Sequence, residues 1–171
     1  MIHEPLEQLL EELHPASFGW ALGCCRWDRQ EAEEVLQTTY LKILDGRARF
    51  DERSSFKTWL FAVIRRTAAE RRRSGWLRAL TAARWLDGRP APAPIRTPES
   101  LAGEAEASRA LRTALQALPE RQREVLHLVF YQDLTLEEAA RILGISLGSA
   151  RTHYHRGKAS LQKRLAQAGL R

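Results

Sequence analysis

Cysteine is almost absent from this chain of 171 residues, with Cys24 and Cys25 its only two. As sequence neighbours they cannot build the spaced framework of a disulfide-stapled secreted domain, so a reducing, cytoplasmic setting is expected. His14 raises a metal or redox reading, but adjacent thiols chelate a tetrahedral ion poorly and no Cys-x-x-Cys exists. Buried free cysteines are the expectation. Long apolar runs are missing too. The most apolar stretches, Phe18 to Cys25 and Trp59 to Ile64, fall far short of the roughly 18 residues a membrane span needs. No signal-peptide pattern is visible, and no membrane insertion is expected. The chain lacks metal-ligand spacing and a phosphate-cradling glycine loop, so an enzyme reading has nothing to stand on and no cofactor is expected. Apolar–polar alternation long enough to argue for a sheet is also lacking.

What the chain has is positive charge. Lysine and arginine total 27 against 21 aspartates and glutamates, a net charge of +6. The excess is uneven: residues 54 to 73 hold six positive charges and one negative. Such a concentration repels itself unless it is solvated or set beside phosphate, so a polyanionic partner is expected.

Proline marks the organisation. Pro90, Pro92, Pro94 and Pro98 are four of the chain's seven, and no helix is expected across them. The expected architecture is all-α: two small helical domains, 1–74 and 107–171, joined by a Pro-rich linker at 75–106. Trp76, Leu77, Leu80, Trp85 and Leu86 have the spacing of a short helix before the prolines, one that could extend the helix upstream. In the first domain Ala32, Val35, Leu36, Thr39, Tyr40 and Ile43 recur every three or four residues and make one apolar helical stripe. Glu31, Glu33, Glu34 and Lys42 lie largely off it. A break at Asp45-Gly46 precedes a polar stretch, Arg47 to Ser55, that reads as a loop. Ser54 or Ser55 is a candidate cap for a helix that runs through Phe56, Trp59, Leu60, Val63 and Ile64 into Arg65, Arg66, Arg71, Arg72 and Arg73.

The strongest local pattern, Leu134 to Arg151, is that of a helix-turn-helix. Thr135 with Glu138 forms a capping box that starts the first helix; small Ala139 and Ala140 let the second helix approach; Gly144 supplies the turn. Ser146 can cap the second helix, whose inner face would be Ala150, Tyr154, Gly157, Leu161 and Leu165. That phase places Arg151, Thr152, His155 and Arg156, with Ser149 one turn before them, on the outer face near the N-terminal end. This is the part of a recognition helix that reaches base edges in the major groove, where arginine can bond guanine bidentately.

Upstream, Leu115 to Leu134, with Leu118-Pro119 followed by a basic helix, completes a pattern that closely resembles region 4 of the extracytoplasmic-function (ECF) sigma factors. Glu31 to Lys42 and Phe50 to Arg73 resemble region 2 of the same family. The two resemblances stand in family order and cover roughly 135 of the 171 residues. They imply a non-enzymatic subunit that binds core RNA polymerase and directs it to promoter DNA, with region 2 on the −10 element and region 4 on the −35 element. By position, Glu34, Gln37 and Lys42 would face the polymerase clamp or support that face, while Tyr40 belongs to the core. The loop carrying Phe50, Asp51, Ser54 and Ser55 would capture an unstacked −10 base, with Phe56 an anchor and Trp59 core. Arg65, Arg66, Arg72 and Arg73 would take phosphates or bases of the same element, and Ser149, Arg151, Thr152, His155 and Arg156 the −35 element. The resemblance also makes the linker a surface for nascent RNA and for an anti-sigma protein.

Three positions depart from the family pattern. Many members carry Asn where Arg66 stands, Asp where Glu70 stands and an acidic residue where Thr38 stands, so −10 preference and docking at Thr38 are open. Two rival readings compete: a helix-turn-helix regulator without a sigma role, which leaves residues 31–73 unexplained, and a helical interaction protein, which leaves the recognition-helix phase unexplained.

Overall fold

The computed structural model describes residues 3–85 and 106–169. Among these, eight α-helices occur and no strand, as expected for an all-α chain. They are α1 (His3–Glu12), α2 (His14–Cys24), α3 (Arg29–Leu44), α4 (Phe56–Trp85), α5 (Glu106–Gln116), α6 (Glu120–Phe130), α7 (Leu136–Leu143) and α8 (Leu147–Gln167). Leu86 and the four clustered prolines lie outside the described residues, and most of the expected linker with them.

Helix starts have local chemical causes. Asp28 accepts the Glu31 N–H at 3.0 Å and starts α3, a cap the periodicity alone did not flag. Gly46, at φ +70, ends the same helix region in the left-handed conformation. Of the two candidate caps for α4, Ser55 is the one used: its Oγ accepts the Thr58 N–H at 3.2 Å. α4 then runs past Arg73 to Trp85, so the linker expected from residue 75 begins as helix. Gly75 costs it about 1 kcal/mol, and the good helix formers around it outweigh that.

Contacts divide the chain into two compact units, Met1–Arg49 with Val63–Glu99, and Phe50–Ala62 with Ser100–Arg171. This division cuts α4, whereas the segments named by sequence motif end at 74 and restart at 107. In the first unit Trp20, Ala21 and Cys24 of α2, Ala32, Val35, Leu36, Thr39 and Ile43 of α3, and Val63, Ile64 and Ala68 of α4 are buried. Tyr40, expected in the core, is half-buried, with its hydroxyl 3.0 Å from His14 Nδ1. In the second unit Leu115, Leu118 and Leu126 form a core that Leu111, Tyr154 and Leu161 cover. There too, Lys57 Nζ donates to the Gln132 carbonyl at 2.7 Å.

Candidate nucleic-acid interface

The helix-turn-helix is built by short-range chemistry. Thr135 Oγ1 accepts the Glu138 N–H at 3.2 Å, and the Glu138 carboxylate accepts the Thr135 N–H at 2.8 Å, closing the capping box. Gly144 turns the chain at φ 63, ψ 38, a conformation that costs glycine nothing. Ser146 Oγ accepts the Ser149 N–H at 3.1 Å and starts α8. The expected inner face holds: Ala150 and Gly157 are buried, and Tyr154, Leu161 and Leu165 are partly so. Ser149, Arg151, Thr152, His155 and Arg156 are all exposed on the opposite side. Two of them are partly engaged locally. The Ser149 hydroxyl takes part in the cap at 2.9 Å, and the Thr152 hydroxyl donates to the Gly148 carbonyl at 3.0 Å. Arg151 lies 4.0 Å from Glu137 between exposed side chains, a pair too weak to withhold the guanidinium from a ligand.

On α4 the arginines sort by helix phase. Arg65 and Arg72 lie two turns apart on one face, and Arg66 and Arg73 on another. Arg66, Arg72 and Arg73 are exposed and Arg65 half-buried. Arg71, which the sequence groups with them, is instead engaged by α3 while its side chain stays 30% exposed. Its Nε donates to Glu31 at 2.9 Å and its Nη2 to Glu34. The hydrogen bond to Glu31 is the main cause that holds its pKa above the ordinary arginine value.

In the 47–55 loop Phe50 meets Phe56 and Trp59, with ring centroids 5.4 Å apart in each case, and Phe56 and Trp59 stand 5.3 Å apart. All three rings are half-buried. Trp59, expected in the core, is instead half-buried within this aromatic cluster; Leu60 and Phe61 beside it are the buried pair. Asp51 accepts the Arg53 N–H at 3.3 Å. The Ser54 hydroxyl donates to the Ser55 carbonyl at 3.2 Å, and the Ser55 hydroxyl donates to Thr58 Oγ1 at 2.9 Å. The loop's polar groups thus hold its own shape while the aromatic cluster offers faces on which a base could stack.

The docking candidates differ among themselves. Gln37 is exposed; Glu34 and Lys42 are half-buried and tied to α4, Glu34 by Arg71 and Lys42 by Glu70 at 2.5 Å and Thr67 at 3.2 Å. Thr38 donates its hydroxyl to the Glu34 carbonyl at 2.8 Å. Sequence reasoning missed these cross-helix pairs because the partners lie far apart in the chain and no local pattern links them. Cys24 is buried and Cys25 partly so, and neither is in a disulfide. Burial, with Glu31 next, pushes the Cys25 thiol up to about 12, which makes it a poor nucleophile at neutral pH. Among the described residues no helix is long and apolar enough to cross a membrane.

Two family models match the chain: Sigma-70 region 2 over residues 9–78 and Sigma-70 region 4 over residues 108–161. Among curated relatives, the ECF RNA polymerase sigma factor SigX of Bacillus subtilis is 30% identical over 81% of this chain and 72% of its own length. RNA polymerase sigma factor YlaC of the same organism is 30% identical over 81% of this chain and 80% of its own length. CarQ of Myxococcus xanthus, also an RNA polymerase sigma factor, is 30% identical over 81% and 77%. Of solved structures, the sigma factor RpoE in complex with the anti-sigma factor NepR from Bartonella quintana shares the fold. It matches with a TM-score of 0.75 and 24% identity, over 95% of this chain and 98% of that one. CnrH in complex with the cytosolic domain of CnrY matches with a TM-score of 0.62 and 20% identity, over 94% and 87%.

Proposed function

The chain belongs to the ECF RNA polymerase sigma factors and acts in transcription initiation, and from that premise we propose how its residues divide the work. Residues 1–74 dock on core RNA polymerase through the α3 surface around Gln37, with Glu34 and Lys42 supporting that face. The Phe50–Phe56–Trp59 cluster and the loop residues Asp51, Ser54 and Ser55 receive an unstacked base of the −10 element. Unstacking costs a few kcal/mol, which stacking on aromatic faces offsets. Arg65, Arg66, Arg72 and Arg73 hold the adjoining duplex. Residues 107–171 set the first turns of α8 in the major groove of the −35 element, where Arg151 and Arg156 reach base edges and Ser149, Thr152 and His155 adjust the fit. The chain itself performs no bond chemistry.

The observation that carries this reading is the phase of α8. Its inner face packs on α6 and α7 while each α8 residue expected at the DNA lies exposed on the other side. An anti-sigma protein is a further expected partner, supported by RpoE, whose structure holds NepR. A cytoplasmic site of action follows from these partners. The direct test mixes the purified chain with core polymerase and follows initiation on promoter templates. Transcripts that depend on both the chain and the promoter support the reading; operator binding without initiation would instead favour a plain regulator.

A further inference from the structure

One turn of α4 is gripped by α3 at two separated points. Thr67, Glu70 and Arg71 share a face of α4, at the i, i+3, i+4 spacing. Arg71 reaches Glu31 and Glu34 near the start of α3, while Glu70 and Thr67 take the ammonium of Lys42 near its end. Glu34 and Lys42 stand about 12 Å apart along a helix axis. Two holds that far apart, on residues adjacent in the α4 sequence, resist rotation of α4 about its own axis in a way one contact would not. Beside these holds, Val35, Leu36 and Thr39 of α3 and Ile64 and Ala68 of α4 are all buried. Small side chains such as Ala68 limit rotation weakly.

Rotation of α4 matters because its outward faces carry two different arginine pairs. Arg65 with Arg72 and Arg66 with Arg73 are separated by about 100° of helix phase, so the setting of the helix decides which pair meets bases and which meets phosphate. Resting on the promoter-reading role proposed above, we propose that Arg71, Lys42 and Glu70 are positioning residues. They hold the rotational setting of the promoter-reading helix against the docking helix and themselves contact neither DNA nor polymerase. Arg71 is thereby removed from the set of basic residues available to phosphate, and Lys42 supports the docking face without being part of the contact.

The test uses the full chain, core polymerase and a panel of promoters varied only in the −10 element. Initiation by the unaltered chain on its best promoter comes first, and its absence would sink the sigma reading itself and not this inference. Arg71→Ala is expected to narrow the spread between best and worst promoter several-fold while leaving the slope of log affinity against log salt unchanged. A lost phosphate contact would instead flatten that slope by about 0.9. Glu31→Gln, a near-isosteric change on a residue facing no DNA, is expected to narrow the spread in the same direction. Lys42→Glu and Glu70→Lys should each narrow it, and the two together should restore at least half of it. Should Arg71→Ala fail to fold, as judged by its thermal melt, Glu31→Gln and the Lys42/Glu70 exchange decide the matter. A flattened salt slope for Arg71→Ala, an unchanged promoter spread for Glu31→Gln, or an exchange that restores nothing would each overturn the inference.

Discussion

Gly157 and Gly148 lie on the same helix, and the same substitution is expected to act on them with opposite signs. Replacing glycine by alanine inside a helix stabilises it by up to about 1 kcal/mol, because the chain loses less freedom on folding. At Gly157 that gain meets an obstacle. A Cβ there would stand 3.1 Å from Gln122 Cβ and 3.2 and 3.3 Å from Leu126 Cδ1 and Cγ. The Gln122 Cβ is fixed to the α6 backbone, and Leu126 is 1% exposed in the middle of the core, so neither can swing aside cheaply. Overpacking of this kind costs about 1–3 kcal/mol, and the balance is a net loss of about 1 kcal/mol for Gly157→Ala. At Gly148 the nearest atom to a new Cβ is Ser146 Oγ at 3.9 Å, so Gly148→Ala should gain about 0.5–1 kcal/mol. Hydrogen exchange resolved by peptide across α6 to α8, in the full chain under increasing urea, reads both changes where they act. If Gly157→Ala protects these helices better than the parent does, α6 and α8 are free to move apart and the close-approach argument fails.

Further outcomes follow from the same structure. Burial lowers the pKa of His127 to about 4 from about 6.5 in an unfolded chain. The unfolded state therefore takes up the proton first, and its contribution to stability is complete above pH 6.5 and lost as pH falls toward 4. The loss is up to about 1.4 kcal/mol per pH unit, so urea midpoints of the α5–α8 peptides should drop between pH 7 and pH 5, and equal midpoints would refute it. Arg151→Ala and Arg156→Ala should each weaken use of the −35 element by about 1–3 kcal/mol with little change in core-polymerase affinity. Initiation equal to the parent's on every promoter would count against the recognition face. Arg72→Ala should weaken all promoters alike and flatten the salt slope by nearly one. Arg66→Asn should instead shift which −10 sequences are preferred, and a uniform loss across a −10 panel would reduce Arg66 to a phosphate contact.

Much of this protein is legible one helix at a time, because caps and faces depend on residues three or four positions apart. Thr135 with Glu138, Ser146 with the N–H groups after it, and the left-handed Gly144 act within a single turn, and each could be read before any partner was known. The outward phase of Arg151, Thr152, His155 and Arg156 follows from the helical period once Ala150 and Gly157 face inward. The order of the region 2 and region 4 patterns was equally open to the sequence. What it left undecided were matters of helix against helix. Arg71 and Arg72 are adjacent and chemically identical, yet only the packing of α3 on α4 sends one to Glu31 and Glu34. Lys42 lies off the apolar stripe of its own helix and reads there as a surface contact until Glu70 and Thr67 arrive from α4. Trp59 has the composition of a core residue yet stays half-buried in an aromatic cluster, where the ring of Phe50, from across the loop, meets it at a tilt. Ion pairs and ring contacts between elements depend on how two helices cross, and that geometry comes from burial summed over the whole seam, which no window of sequence contains.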